Sequence, residues 1–114
     1  MLKNIFLIII FIFLAQACSN KEKLEYEPQA KSDPYKLYQE GFNAFEKGDY
    51  FFANKKFSEA ELNFDKPELA AKSAIMASYS LYGINFYTDA EENLKRYLKT
   101  YPSDKYVIYA NYLL

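Results

Sequence analysis

Histidine and tryptophan are absent from this chain of 114 residues, and Cys18 is the only cysteine. Without histidine there is no imidazole base, and most kinds of zinc or copper site are excluded. A single cysteine cannot form a disulfide within a monomer, so packing must stabilise the fold. We therefore predict no catalytic residue, no metal site and no cofactor in the folded part.

The chain has no large excess of charge of either sign. It contains 14 Lys and Arg and 15 Asp and Glu, which gives a formal net charge of −1. Nucleic-acid binding would need a clustered basic surface, so we predict no nucleic-acid partner. The basic pair Lys95-Arg96 and the carboxylates Glu59 and Glu61 are expected on solvated helix faces. With three glycines in all, the chain has no glycine-rich phosphate loop.

No apolar run is long enough for a transmembrane helix. The longest, Ile5 to Ala15, has eleven residues, whereas a helix that spans a bilayer needs roughly 20. Lys3 followed by this short apolar run is typical of a secretory signal. We predict that residues 1–17 form a signal peptide.

The apolar run ends in Leu14-Ala15-Gln16-Ala17-Cys18, which resembles a bacterial lipobox. By that resemblance the chain is cut before Cys18, which then carries an S-diacylglycerol and an N-acyl group. Three acyl chains anchor a protein stably to a membrane. Ser19, rather than aspartate, follows the cysteine, and the sorting rule for such lipoproteins then favours the outer membrane. The alternative is a plain signal peptide with an incidental cysteine.

Residues 18–33 are predicted to be the lipidated cysteine and a flexible tether. They are mainly polar, contain Pro28 and show no apolar period. The folded part is predicted to span residues 34–114, because Asp33-Pro34 is a strong helix start signal.

The stretch from Pro34 to Pro67 is typical of two helices joined by a tight turn. Its small and aromatic residues recur at fixed intervals, at Gly41, Gly48, Tyr50, Ala53, Phe57 and Ala60. Gly41 and Ala53 would let the two helices approach closely, with Phe57 in the groove between them. Gly48 would end the first helix in the left-handed conformation.

A second copy follows after 37 residues, with the same intervals at Ser78, Asn85, Tyr87, Ala90, Leu94 and Tyr97. Asn85 replaces the turn glycine, which is tolerable because asparagine also adopts positive φ. The pattern resembles the tetratricopeptide repeat (TPR). We predict an all-α fold of tandem TPR-like helical hairpins, an α-solenoid of about two and a half repeats. The predicted repeats are residues 34–67, residues 68–104 and the start of a third at 105–114.

Capping signals predict where the later helices begin. Thr88 and Glu91 have the spacing of a capping box for the fourth helix, and Ser103 or Asp104 is expected to cap the fifth. This fifth helix is strongly apolar, whereas solenoids need a polar terminal cap. We therefore expect this chain to be the amino-terminal piece of a longer array, or another chain to cover the end.

Aromatic residues form a row on the first helix of each repeat. Tyr35, Tyr38, Phe42 and Phe45 follow one another at intervals of three, four and three, so they share a helix face. The resemblance to TPR proteins implies that this face is concave. The predicted peptide-binding groove comprises Tyr35, Tyr38, Phe42, Phe45, Ile75, Tyr79, Tyr82, Tyr106 and Tyr109. Such residues would supply contact area, and their hydroxyls could pair with a peptide backbone. The alternative is that the rings only pad contacts between helices.

A narrower family likeness is carried by the segment Ala90 to Pro102, AEENLKRYLKTYP, and by Tyr106 to Ala110, YVIYA. Together with the lipobox and the short tether, these segments resemble the BamD family, also called ComL or YfiO. Its members are TPR lipoproteins of the machine that assembles β-barrels in the outer membrane. The resemblance covers Cys18 to Leu114, as the amino-terminal portion of such a protein.

The resemblance implies a non-enzymatic lipoprotein, lipid-anchored on the periplasmic side of the outer membrane. It would bind the barrel-forming subunit and other lipoprotein subunits of the machine. Its amino-terminal repeats would also bind unfolded precursors of outer-membrane proteins, which commonly end in aromatic residues. The alternative is a TPR lipoprotein adaptor for another envelope complex, in peptidoglycan or envelope-spanning machinery.

Cys18→Ala should abolish incorporation of radiolabelled palmitate when the full chain is expressed in a bacterium with two membranes. The reason is that the thiol is the nucleophile that receives the lipid. Ser19→Ala, at the neighbouring position, is the matched control and should keep the label. Palmitate labelling that survived Cys18→Ala would refute the lipoprotein prediction.

Overall fold

The computed structural model of the chain describes residues 1–5 and 32–114. The predictions for Cys18, for the lipobox and for most of the signal peptide and tether fall on residues 6–31, outside the described residues. Residues 2–5 are helical. Within the described ranges, no helix combines the length and the apolar character that crossing a membrane would require.

Five helices make up the folded part. They are α1 (Pro34–Glu46), α2 (Tyr50–Asn63), α3 (Pro67–Gly83), α4 (Tyr87–Thr100) and α5 (Val107–Leu113). Each helix packs against the next along the chain, and residues 32–114 contain no β-strand. This arrangement confirms the predicted all-α, TPR-like solenoid.

The α1–α2 hairpin has the close packing that its small residues predict. Phe57 is fully buried, and a Cβ at Gly41 would lie 3.0–3.2 Å from atoms of its ring. Gly41 therefore leaves the room that Phe57 fills. Gly48 adopts φ +78° after α1, and the Asp49 carboxylate accepts a hydrogen bond from the Phe52 N–H (3.3 Å) at the start of α2.

Helix α3 is central because it is buried on two sides. On one side Ala77 packs with Phe57 and with Ala53 of α2. On the other side Ala71 and Ala74 pack with residues of α4 and α5, namely Leu94, Tyr97 and Ala110. Small side chains on both sides allow neighbouring helices to approach the α3 backbone closely.

Serine hydroxyls in the buried part of α3 are satisfied within the helix. Ser78 donates to the Ala74 carbonyl (3.0 Å) and Ser80 donates to the Met76 carbonyl (2.9 Å). Among the described residues, no buried side-chain nitrogen or oxygen lacks a hydrogen-bond partner. Serine can thus replace alanine here without leaving an unpaired buried group.

The predicted capping box at Thr88 and Glu91 is wrong. Helix α4 begins at Tyr87, Phe86 is its N-cap, and the cap has no side-chain hydrogen bond. Asn85 has the expected positive φ of 61°, and the Ala90 N–H already donates to the Phe86 carbonyl (2.9 Å). The helix starts directly after this turn, so Thr88 lies inside it.

The predicted cap of α5 needs a similar correction. Tyr106 is the N-cap, without a side-chain cap bond, so neither Ser103 nor Asp104 caps the helix. The Asp104 carboxylate instead accepts from the Tyr106 N–H (3.1 Å) and from the Tyr97 hydroxyl. These bonds fix the turn that precedes α5.

Helix α5 exposes large side chains: Ile108 and Tyr112 are 85% and 84% exposed.

Phe57→Ala should lower the free energy of unfolding by about 3–5 kcal/mol, because it removes a fully buried ring from between α1, α2 and α3. Phe51→Ala is the matched control on the same helix, since Phe51 is 69% exposed. The control should change stability by no more than about 0.5 kcal/mol. Urea unfolding followed by circular dichroism measures both, and equal losses would contradict the assigned packing.

Candidate functional site

A pocket of about 420 Å³ lies between α3 and α5, and we call it the α3–α5 pocket. It is lined by Lys72, Ile75, Met76, Tyr79, Tyr106 and Tyr109. Four of these residues belong to the predicted groove, namely Ile75, Tyr79, Tyr106 and Tyr109. Residues 72, 75, 76 and 79 follow the three- and four-residue spacing of one helix face, so α3 supplies one wall. The size falls within the range of small-ligand sites, roughly 300–1,000 Å³.

The interior of the pocket is apolar. Ile75 is 5% exposed and also belongs to the hydrophobic core. The rings of Tyr79 and Tyr109 lie with their centroids 5.7 Å apart, so they join α3 to α5. Because apolar walls line a concave space, the pocket can take an apolar or aromatic side chain.

Tyr38 brings α1 to the edge of this pocket. Its ring lies under the Lys72 ammonium, with the nitrogen 5.5 Å from the ring centroid, and makes an edge contact with Phe57 at 5.2 Å. Burial, together with the charge of Tyr106, raises the pKa of Tyr38. The hydroxyl of Tyr38 therefore stays protonated at neutral pH and remains available as a hydrogen-bond donor.

The structure does not bring the other predicted groove residues to the pocket. Tyr35 packs edge-on against Phe64 at 5.1 Å, and Phe45 packs against Tyr50 at 5.2 Å. These two rings support contacts between α1 and α2, as the padding alternative describes. The row on α1 covers about 15 Å of helix at 1.5 Å per residue, so it extends beyond one pocket.

Tyr82 and Phe42 also lie away from the pocket lining. The Tyr82 hydroxyl donates to the Leu113 carbonyl (2.9 Å), so it ties α3 to the end of α5. Phe42 is 37% exposed on α1. The predicted set therefore separates into residues at the pocket and residues elsewhere. Those at the pocket are Tyr38, Ile75, Tyr79, Tyr106 and Tyr109; those elsewhere are Tyr35, Phe42, Phe45 and Tyr82.

Two pocket residues, Lys72 and Met76, are outside the predicted set. Lys72 precedes Ile75 by three positions and Tyr79 by seven, so helical spacing places it in the same row. That spacing is a sufficient signal for Lys72, although Lys72 is neither aromatic nor aliphatic like the predicted groove residues. Met76 precedes Tyr79 by three positions, but its apolar side chain carries no signal that distinguishes it from a core residue.

A polar cluster lies between α2 and α4, and it corrects the expectation that Glu61 is solvated. Arg96 makes a bidentate pair with Glu61, with both N–O distances 2.8 Å, and the Tyr101 hydroxyl donates to Glu61 (2.9 Å). The Glu61 side chain is 9% exposed. Hydrogen bonding to Glu61 also raises the pKa of Arg96. Glu61 is therefore a structural partner rather than a solvated charge, because the solenoid brings α2 and α4 together. Arg96 pairs with it while its own side chain stays 47% exposed, as expected for a solvated face.

Asn93 joins this cluster to the central helix. Its amide donates to the Ala74 carbonyl (3.1 Å) and to the Ser78 hydroxyl (2.6 Å), and its side-chain oxygen accepts from Arg96 (2.9 Å). With its polar groups paired, the cluster holds α2, α3 and α4 together. In residues 1–5 and 32–114, no set of three acidic or cysteine side chains is arranged to hold a metal ion.

Comparisons with known proteins gave one family match. Residues 30–114 match the family model described as YfiO, outer membrane lipoprotein. Neither the curated proteins nor the solved structures gave a match. The matched range covers all five helices, the α3–α5 pocket and the Glu61–Arg96 cluster.

Tyr101→Phe should reduce stability at pH 8 by about 1 kcal/mol, because it removes a hydrogen bond to Glu61. Burial and that bond raise the pKa of Tyr101 to about 12, above about 10 in the unfolded chain. The hydrogen bond from Tyr101 to Glu61 therefore contributes its full stabilisation below about pH 10. This contribution is lost as the pH rises through the pKa that Tyr101 has in the folded chain. Urea unfolding at pH 8 to 12 measures the free energy of unfolding of the variant and of the unsubstituted chain. The difference between the two should become smaller above pH 10.

Tyr112→Phe is the matched control, because Tyr112 is 84% exposed. It should behave like the unsubstituted chain at every pH. A Tyr101→Phe curve that stayed parallel to the unsubstituted curve up to pH 12 would contradict the assigned coupling with Glu61.

Proposed function

Since this chain belongs to the YfiO family of outer membrane lipoproteins, we propose that it is a non-enzymatic subunit of the machine that assembles β-barrel proteins. In this role it binds unfolded precursors of outer-membrane proteins and the barrel-forming subunit, alongside other lipoprotein subunits. A lipid on Cys18 holds it at the periplasmic side of the outer membrane.

The α3–α5 pocket is the observation that carries the precursor-binding part of this proposal. An unfolded precursor presents apolar and aromatic side chains together with a backbone that still needs hydrogen-bond partners. The pocket offers apolar walls at Ile75 and Met76 and tyrosine rings at Tyr79 and Tyr109. Burial of one large apolar side chain there would contribute about 1.5–3 kcal/mol.

The position of the pocket suits a peptide rather than a compact small molecule. Tyr38 of α1 contacts Lys72 of α3, and Lys72 and Tyr106 both line the pocket, so these residues extend its edge from α1 towards α5. An extended segment can follow this edge from one hairpin to the next and place one side chain in the pocket. Tyrosines along such a path give large contact area at low entropic cost.

The double variant Tyr38→Ala with Tyr79→Ala should weaken peptide binding at least tenfold, because it removes one ring at the edge and one in the wall. Fluorescence anisotropy measures the affinity, with a labelled peptide from the last strand of an outer-membrane β-barrel. Phe51→Ala is the matched control, since this exposed ring lies on α2, outside the pocket. Thermal melts identify any loss of folding. Unchanged affinity with a normal melt would refute the proposed site.

A further inference from the structure

Large aromatic side chains are exposed at the end of the solenoid that carries the α1–α2 and α3–α4 turns. Phe51 and Phe52, in the first turn of α2, are 69% and 40% exposed. Phe86 and Tyr87, at the start of α4, are 49% and 57% exposed. We call these four rings the aromatic rim. Exposed apolar surface that is concentrated in one place is typical of an interaction site.

Contacts between the two turns bring the rings of the rim together. The Tyr50 ring packs against Phe45 at 5.2 Å and lies where a Cβ of Gly83, at the end of α3, would be. The Tyr82 ring lies 5.7 Å from Tyr87. Side chains of a helix point back towards its N-terminus, so the rings that begin α2 and α4 are directed to the same end of the molecule. One flat partner can therefore contact both turns.

Charges around the rim do not attract an anionic partner. In the two turns and the first helical turn after each, the exposed charged residues are Lys47 and the acidic Glu46, Asp49 and Asp89. Their sum is one minus three, or −2, so an anionic bilayer would be repelled. Phenylalanine and tyrosine are side chains that enter the interface of a bilayer. The rim therefore suits a membrane surface of zwitterionic lipid.

The length of chain between Cys18 and the first helix agrees with such a surface. Residues 19–33 are 15 in number, and a flexible chain of this length has an r.m.s. end-to-end distance of about 19–23 Å. Helix α1, with 13 residues, is about 20 Å long and runs from the end of this chain to the rim. With the rim on a membrane and α1 upright, Pro34 is about 20 Å above the surface. A linker acts most effectively when its r.m.s. length matches the span.

We propose that the aromatic rim docks on a bilayer of zwitterionic lipid, next to the lipid on Cys18. The rings of Phe51, Phe86 and Tyr87 enter the headgroup region, and the tether keeps the rim at a high effective concentration near the bilayer. The inference rests on the lipid anchor of the proposed function and adds an orientation to it. The α1–α2 and α3–α4 turns face the membrane, and the α2–α3 turn faces away from it.

The opposite end of the solenoid provides the control position. Leu62, near the end of α2, is 85% exposed. Close to it in the chain, at the start of α3, Lys66 and Glu68 are exposed and charged. Transfer of these charges into a bilayer is unfavourable, so this end should stay in water when the rim docks.

Tryptophan substitutions report which end contacts lipid. The chain has no tryptophan, so Phe86→Trp and Leu62→Trp each introduce a single indole. The full chain, lipidated on Cys18, is reconstituted in phosphatidylcholine vesicles with and without bromine atoms on the acyl chains. The brominated lipid should quench the emission of Phe86→Trp, and this emission should lie at shorter wavelength than that of the chain in water. Leu62→Trp should show neither effect.

Removal of two other rings tests whether the rim acts as a unit. In the Phe86→Trp chain, Phe51→Ala with Phe52→Ala should lower the ratio of docked to undocked protein at least tenfold, because burial of one large apolar ring contributes a factor of about ten or more. Leu62→Ala is the matched control and should leave the quenching unchanged. Thermal melts check that the variants fold.

Salt and lipid charge test the nature of the contact. Added salt should not weaken docking, because the contact is apolar. Replacement of part of the phosphatidylcholine by anionic phosphatidylglycerol should not strengthen it, because the local charge is negative. Docking that required phosphatidylglycerol would overturn the proposed lipid surface.

Other results would assign the rim differently. Equal quenching of Phe86→Trp and Leu62→Trp in the lipidated chain would overturn the docking while leaving the anchor and precursor binding intact. A photo-crosslinking amino acid at position 86 should give no protein adduct in cells. A discrete adduct with another protein, or with a second copy of this chain, would overturn the proposal in favour of that partner. Failure of palmitate to label the chain would overturn the anchor and this inference with it.

Discussion

The structure depends on close packing of α3 against helices on two of its sides. Small side chains such as Ala74 and Ala77 allow this, because each removes the bulk that would hold a neighbouring backbone away. The large groups come from the neighbours instead, with Phe57 of α2 on one side and Tyr97 of α4 on the other, both fully buried. The small residues of α3 therefore fit the large residues of its neighbours. Neither repeat could bury its apolar surface without α3.

The same constraint positions the candidate site. With two sides of α3 in contact with α2 and α4, the row that begins at Lys72 and continues through Ile75 to Tyr79 borders α1 and α5. Tyr38 and Tyr109 approach this row from those two helices. The pocket thus results from how the solenoid stacks, and no single hairpin contains it. A change in the packing of α5 would alter the pocket even if every residue of α3 were unchanged.

The spacing of residues along a helix predicts which of them share a face, but it does not predict what each of them contacts. Helical spacing correctly placed Gly41 against Phe57, and it put Tyr79 and Tyr109 on faces that meet. It did not separate Tyr38, at the pocket edge, from Tyr35, which packs on Phe64. Both tyrosines share one face of α1, and only the position of the neighbouring helix determines what each ring contacts.

The sequence by itself determined the local features of this protein. Positive φ at Gly48 and Asn85, the repeat of small residues and the family match all follow from residues close together in the chain or from their order. Tertiary structure alone decided the pairing of Glu61 with Arg96, 35 residues apart, and the contact of Lys72 on α3 with the Tyr38 ring on α1. These contacts depend on distances between helices, and the spacing of residues within one helix carries no information about them.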